Sequence, residues 1–191
     1  MTNKYRHAFV ARQIVGACVL AVLVASTASR ANAIEIIPSL GATKSTDANA
    51  GDAKAFGGFA LRAPLLPFLK VEGSIGYRQD SFGTAGDIKV RQWPVMASAW
   101  VSPLPMAYAG GGLGWYRTTI DYPSALLIDN STTMKMGVHL GGGVNIPIGA
   151  KRGLDVNGKY IFMQKDNNNV QVPTTFNPDF WTVGLGLAIK L

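Results

Sequence analysis

The sequence predicts an all-β fold, an eight-stranded antiparallel up-and-down transmembrane β-barrel, and three observations carry that expectation. Eight segments after residue 33 alternate apolar with small or polar residues, the period-two repeat of a strand whose two faces meet different surroundings. The connections between them alternate between short proline-bearing turns and longer polar loops, as in a barrel wall that the chain climbs and descends. No uninterrupted apolar run in this region approaches the length of a membrane helix, about 20 residues.

Residues 1–33 read as a cleaved signal peptide, and residues 34–191 as one barrel domain. Lys4, Arg6 and Arg12 precede an apolar run from Ile14 to Ala25, and Ala31-Asn32-Ala33 supplies the small-x-small ending of a cleavage site. A lipoprotein reading of Val15-Gly16-Ala17-Cys18 is disfavoured because most of the apolar stretch follows the cysteine instead of preceding it. Cys18 is the chain's one cysteine, so the mature protein is expected to use no disulfide. Four of the 18 lysines and arginines, Lys4, Arg6, Arg12 and Arg30, lie in this segment with no acid, which reduces the formal net charge from +7 to +3 and removes most of the case for a nucleic-acid partner. Export without a helix points to the outer membrane of a Gram-negative-type envelope, where only closed barrels satisfy every backbone group.

Each segment then has a lipid face and a lumen face. In 35–44, Ile36, Pro38, Leu40 and Ala42 point outward and Glu35, Ser39, Gly41 and Thr43 inward. In 54–63, Phe59, Leu61 and Ala63 oppose Gly58, Ala60 and Arg62. In 69–78, Leu69, Val71, Ile75 and Tyr77 alternate with Lys70, Glu72, Ser74, Gly76 and Arg78. Segment 88–101 carries Trp93, Val95, Ala97, Ala99 and Val101 on one face, but Pro94 cannot donate to a ladder, and a bulge there would turn Ile88 and Val90 outward instead. Segment 106–121 contains Gly110-Gly111-Gly112, suited to a narrow lumen and to bends; a phosphate-cradling reading needs a following helix, and none is expected. In 133–146, Met134, Met136, Val138, Leu140 and Val144 face out, and Lys135, His139, Gly141, Gly143 and Asn145 face in. In 153–164, Leu154, Val156, Tyr160 and Phe162 oppose Asp155, Asn157 and Lys159. Segment 181–191 places Trp181, Val183, Leu185, Leu187, Ile189 and Leu191 outward over Thr182, Gly184, Gly186, Ala188 and Lys190, and closes against 35–44.

The short turns fall at 64–67, 103–105 and 147–152 and are assigned to the periplasmic end; the longer loops, the longest at 165–179, are assigned to the cell exterior. Phe56, Tyr77, Trp93, Trp115, Tyr116, Phe162 and Trp181 lie near the loop ends of their strands and are expected to form an aromatic girdle there, with Phe68 and Tyr108 as periplasmic counterparts. Lys89 and Arg91, just beyond Trp93, are candidates for contact with lipopolysaccharide phosphates.

With these patterns in place, the chain resembles the eight-stranded outer-membrane barrels of the OmpA/OmpX type, the outer membrane protein beta-barrel domain family. The most motif-like stretch is Pro105-Met106-Ala107-Tyr108-Ala109-Gly110-Gly111-Gly112-Leu113-Gly114-Trp115, similar to that family's proline-tyrosine-glycine-rich middle strand. Two departures are the final Leu191, where the insertion signal usually ends in an aromatic residue, and the lack of a peptidoglycan-binding domain after the barrel, which leaves cell-wall anchoring out of the expected roles. Lipid A deacylases on small barrels carry a serine two residues after a histidine, whereas this chain has His139-Leu140-Gly141. A lone inward His139 is read as a hydrogen-bonded spacer, no cofactor or metal is expected, and the chain is not read as an enzyme.

The remaining candidates are charges. Aspartates at 47, 52, 80, 87, 121, 129, 166 and 179 gather in or beside the outer loops, as turn formers or as a surface for divalent cations and basic partners. Glu35, Arg62, Lys70, Glu72, Asp155 and Lys190 face inward near the short-turn end and are expected to close the lumen as ion pairs: Arg62 with Glu72, Lys70 nearby, and Lys190 with Glu35 beside Asp155. The alternative is that they snorkel into water at the barrel mouth. The functional expectation is a small integral barrel with a structural or interaction role through its extracellular loops and a largely closed lumen, against the alternative of a narrow channel for ions or small solutes. Expected partners are outer-membrane lipid and lipopolysaccharide, the barrel-insertion machinery and an extracellular partner at the loops; a monomer is expected. Protease added to intact cells should then cut near Asn167-Asn168-Asn169 and spare Lys151-Arg152. Cleavage only after the outer membrane is opened would reverse the orientation.

Overall fold

The structure, a computed structural model, describes residues 34–47, 50–82, 88–121, 131–164 and 177–191; residues 1–33, read as a signal peptide, and the Asn167-Asn168-Asn169 stretch lie outside them. Eight strands follow in chain order: β1 (Glu35–Ser45), β2 (Lys54–Leu66), β3 (Leu69–Phe82), β4 (Ile88–Val101), β5 (Ala107–Asp121), β6 (Ser131–Pro147), β7 (Arg152–Met163) and β8 (Phe180–Lys190). Each pairs antiparallel with its neighbours, and β8 returns to β1, so the sheet is a closed barrel. Closure is sealed at the short-turn end by Leu191 N–H donating to the Ile34 carbonyl at 3.0 Å and at the loop end by Thr46 N–H donating to Asp179 at 2.9 Å.

The wall is inside-out relative to a water-soluble core. Leu40, Phe59, Leu113, Leu140, Leu185 and Leu187 are exposed around the outside, an apolar belt much too continuous for a soluble monomer and suited to hydrocarbon. Inside, Arg62, Glu72, Asp155, His139, Trp100 and Tyr116 are buried. The narrow lumen forces close packing between elements: a methyl group on Gly112 would collide with the Ala97 carbonyl oxygen of β4, and one on Gly110 with that of Ala99, so the close approach of β4 and β5 needs these positions to have no side chain.

Strand ends differ most from the sequence expectation in two places, β2 and β3. The 64–67 turn is shorter than anticipated, because β2 runs on to Leu66 through a register irregularity between Pro64 and Leu66 that absorbs the missing Pro64 donor. The ladder between β3 and β4 continues past Arg78, with Gln79 opposite Arg91 and Asp80 opposite Val90, so β3 extends to Phe82, into the stretch read as loop. Pro94 introduces no register shift: Ile75 faces Val95 and Arg78 faces Gln92 in one constant register. The ladder opens at Pro94 without flipping because Tyr77 and Trp93 stack outside, ring centroids 4.9 Å apart, and Gly76 leaves room for the proline ring inside.

Because Leu185 lies on the lipid face and Gly184 on the lumen face beside the Phe56 ring, Leu185→Arg should destabilise the inserted barrel by about 2–4 kcal/mol at mid-membrane depth, and Gly184→Ser by less, since the ring can shift. Urea unfolding in lipid vesicles compares the two; equal costs would contradict the assigned faces.

Candidate functional site in the barrel lumen

Arg62 is the centre of the lumen. It stands on β2 in register with Glu35 of β1 and Glu72 of β3, and its neighbours along the strand are small (Gly58, Ala60), so its guanidinium can extend across the barrel. Its Nε donates to Glu72 Oε2 at 2.9 Å, its Nη2 lies 2.7 Å from the same oxygen, and its Nη1 donates to Asp155 Oδ2 on the far wall at 2.8 Å. Nη2 also donates to the Tyr108 hydroxyl of β5 at 3.1 Å, and the hydroxyl lies 2.8 and 3.0 Å from the two Asp155 oxygens. Asn157 donates to Asp155 Oδ1 at 2.8 Å, and Lys159 Nζ holds Glu72 Oε1 at 3.0 Å. Two acids thus meet two bases, so the buried cluster carries no net charge and every carboxylate oxygen has a donor. Such balance is what a desolvated ion-pair network requires, because an unpaired ion there costs several kcal/mol.

Aromatic rings pack around this cluster. The Arg62 guanidinium lies over the Tyr108 ring at 4.4 Å, Trp100 meets Tyr108 edge-on at 5.4 Å, and Lys159 Nζ sits 5.3 Å from the Trp100 ring centre. The small residues of β5 and β6 make room: a methyl on Gly143 would run into the Tyr108 hydroxyl.

A second layer lies toward the loop end, six residues farther along β3. Arg78 pairs with Asp80, donates to Gln92 Oε1 at 2.7 Å, and stacks over Phe180 at 3.6 Å; Gln92 in turn donates to Thr118 at 3.0 Å. Tyr116, Ile161, Met163 and Phe180 form an apolar cluster beside it. Between the layers is a cavity of about 60 Å³ bordered by Ser39, Ser74, Asn157 and Thr182, room for about four water molecules. Ser74 Oγ and Tyr116 Oη have no protein partner, so the polar edge of this cavity suits water.

The sequence-derived candidates are placed unevenly. Arg62, Glu72 and Asp155 come together, and Asp155 pairs across the lumen with Arg62 instead of bordering a Lys190–Glu35 pair. Lys190 is exposed, although it lies opposite Glu35 in the ladder, because an ammonium at the barrel mouth keeps its water. Glu35 is buried with Oε2 unpartnered, and Lys70 is half-buried outside the network. The expected group of three acids and three bases is therefore corrected to two and two, with Lys159 in place of Lys70 and Lys190. Of the girdle, Tyr77, Trp93, Trp115, Phe162 and Trp181 take outward positions in their strands, whereas Phe56 and Tyr116 point into the lumen, Phe56 against Gly41 and Gly184 and Tyr116 against Phe180. Alternation requires this, since Trp115 and Tyr116 are adjacent and cannot share a face. Tyr108 is likewise a lumen residue, not a periplasmic anchor, while Phe68 is exposed in the β2–β3 turn. Lys89 and Arg91 are exposed on the face that carries Trp93.

His139 is fully buried, with Ser98 Oγ 2.9 Å from its Nε2. That is the spacing of a nucleophile and its base, but Nδ1 has no orienting partner and both residues lie inside the packed lumen, so the pair fills space and shares one hydrogen bond. Among the described residues no group of three histidine, cysteine or acidic side chains is arranged to hold a metal.

A family model described as outer membrane protein beta-barrel domain matches residues 15–189. Among solved structures, Neisserial surface protein A is 15% identical with a TM-score of 0.64, the match covering 83% of this chain and 97% of that one. The attachment invasion locus protein Ail of Yersinia pestis is 12% identical, TM-score 0.56, over 85% and 100%. The N-terminal β-barrel domain of Pseudomonas aeruginosa OprF is 12% identical, TM-score 0.55, over 84% and 98%. At these identities the likeness is one of fold. No curated protein matches the sequence.

Proposed function

The chain belongs to the outer membrane protein beta-barrel domain family, and from that premise we propose that it is a non-enzymatic outer-membrane barrel whose lumen is shut and whose exterior rim and loops meet lipid and extracellular partners. The observation that carries this reading is Arg62, whose guanidinium ties β2 to β3, β5 and β7 at once through Glu72, Tyr108 and Asp155. A solute moving along the axis would have to break these charge-assisted bonds in a space without bulk water. The Arg78–Asp80 layer stands in series with it, so each half of the lumen has its own seal. With the interior filled, interaction is left to the outside: a girdle of Tyr77, Trp93, Trp115, Phe162 and Trp181, and the loops above it. We take the barrel to be a monomer; closure leaves no open strand edge to which a second copy could add.

The cavity between the layers favours one second reading, a narrow ion path through its polar edge. Planar-bilayer recording separates the two. The refolded mature protein should give little or no steady conductance, Glu72→Ala or Arg62→Ala a small increase limited by the Arg78 layer, and Arg62→Ala combined with Arg78→Ala a clearly larger one. A large, stable conductance in the unmutated barrel would replace the closed-lumen reading with the channel.

A further inference from the structure

On the outer surface the register assembles a cluster that the sequence alone does not reveal. Trp93 of β4 lies opposite Arg117 of β5, and Arg91 lies opposite Thr119. Arg91 and Arg117 are therefore diagonal neighbours on one face, about 7–8 Å apart at the backbone, and Lys89 follows Arg91 on that face one repeat farther out. All three side chains are exposed. Thr119 and Thr132, whose hydroxyls are 3.1 Å apart, flank them, and Gln79 sits opposite Arg91 on β3. Arg91 also has a partner within the chain, which leaves donors to spare on a guanidinium that carries five.

Directly below this cluster the wall changes character. Tyr77 and Trp93 stack at the boundary, with Trp93 level with Arg117, and Leu113 and Met136 are exposed farther down the same wall. Cations above aromatic rings above an apolar belt is the profile of a lipid whose phosphate lies at the arginines and whose acyl chains descend along the barrel. The far wall differs: β7 and β8 present Tyr160, Phe162 and Trp181 at their loop ends, with half-buried Lys44 of β1 opposite Trp181.

We propose that Lys89, Arg91 and Arg117 form a site on the β4–β5 wall for the phosphate of a phosphorylated glycolipid of the outer leaflet, lipid A, with Trp93 and the belt beneath it receiving the acyl chains. The site rests on the reading that the loop end lies in the outer leaflet. Two guanidiniums at this spacing can each give charge-assisted bonds to one phosphate, a fit that a single arginine or a neutral headgroup does not have.

The test is native mass spectrometry of the refolded protein released from micelles doped with bisphosphorylated lipid A, with dephosphorylated lipid A, or with phosphatidylglycerol. The unmutated barrel should retain bisphosphorylated lipid A in preference to both other lipids, and excess inorganic phosphate should not displace it. Arg91→Gln with Arg117→Gln should lower retention by about tenfold, equivalent to about 1.4 kcal/mol, while Lys151→Gln with Arg152→Gln at the short-turn end should leave it unchanged. Equal retention of phosphorylated and dephosphorylated lipid A, or of either by the arginine variant, would overturn the site; preference for phosphatidylglycerol would reassign it to a general anionic headgroup and overturn the lipid A proposal. If the double variant does not give the heat-dependent gel shift of a folded barrel, Lys89→Gln and Arg117→Gln are read singly, and unchanged retention in both overturns it. Retention is read on purified protein and does not depend on orientation in the cell, so a barrel inserted the other way round would still bind and would be exposed by protease accessibility instead.

Discussion

Hydrocarbon offers no partner for a peptide N–H or C=O, and an unpaired group costs several kcal/mol there, so a strand in a membrane must find a neighbour on both sides. In this chain that requirement is met by the return of β8 to β1, from Ser45 opposite Phe180 to Glu35 opposite Lys190. Most other features follow from closure at eight strands. The radius is then so small that the lumen has to be filled by side chains, which is why glycines line β5 and β6 where Tyr108, Trp100 and His139 occupy the space. It also explains why the polar residues are inside and the leucines outside.

Filling a lumen with polar groups is stabilising only if they satisfy one another. Arg62 solves this with one planar group that serves three walls, and Tyr108 and Lys159 complete the coordination of the two carboxylates. Replacing both members of a buried pair by apolar residues is often tolerated, whereas removing one is costly; the network therefore ties the fate of β2, β3, β5 and β7 together more firmly than its net contribution to stability suggests. The Arg78 layer combines its pair with Asp80 with stacking over Phe180, so the two layers differ in chemistry as well as in position.

Much of this was legible in the sequence. Period-two alternation gave the eight strands and their faces, and Pro94, where a flip was conceivable, keeps the simple register. The inward positions of Arg62, Glu72 and Asp155 followed from the same parity. The partners of Asp155 did not, because a contact across a lumen depends on barrel tilt and side-chain reach, neither of which parity contains. Lys190 looked like the partner of Glu35, beside Asp155, from ladder position alone, but a residue at the strand end has water available and an arginine deep in the lumen does not. Phe56, Tyr108 and Tyr116 were misplaced for a different reason: they were grouped by distance from the loops and turns, while their even numbers in β2 and β5 already set them beside Arg62 and Gly110. Arg117 was missed as a companion of Lys89 and Arg91 because only the β4–β5 register places it beside Trp93.

The central claim is that the bond between Arg62 and Asp155 across the lumen holds the barrel shut as one cooperative unit. A double-mutant cycle on Arg62→Ala, Asp155→Ala and their combination, read by urea unfolding of the refolded protein in lipid vesicles, measures it directly. A network predicts non-additivity, with a favourable coupling of about 1–3 kcal/mol and a double variant less destabilised than the sum of the singles. Costs that add within about 0.5 kcal/mol would mean that the two side chains do not bond across the lumen, and the account of closure would fail with them.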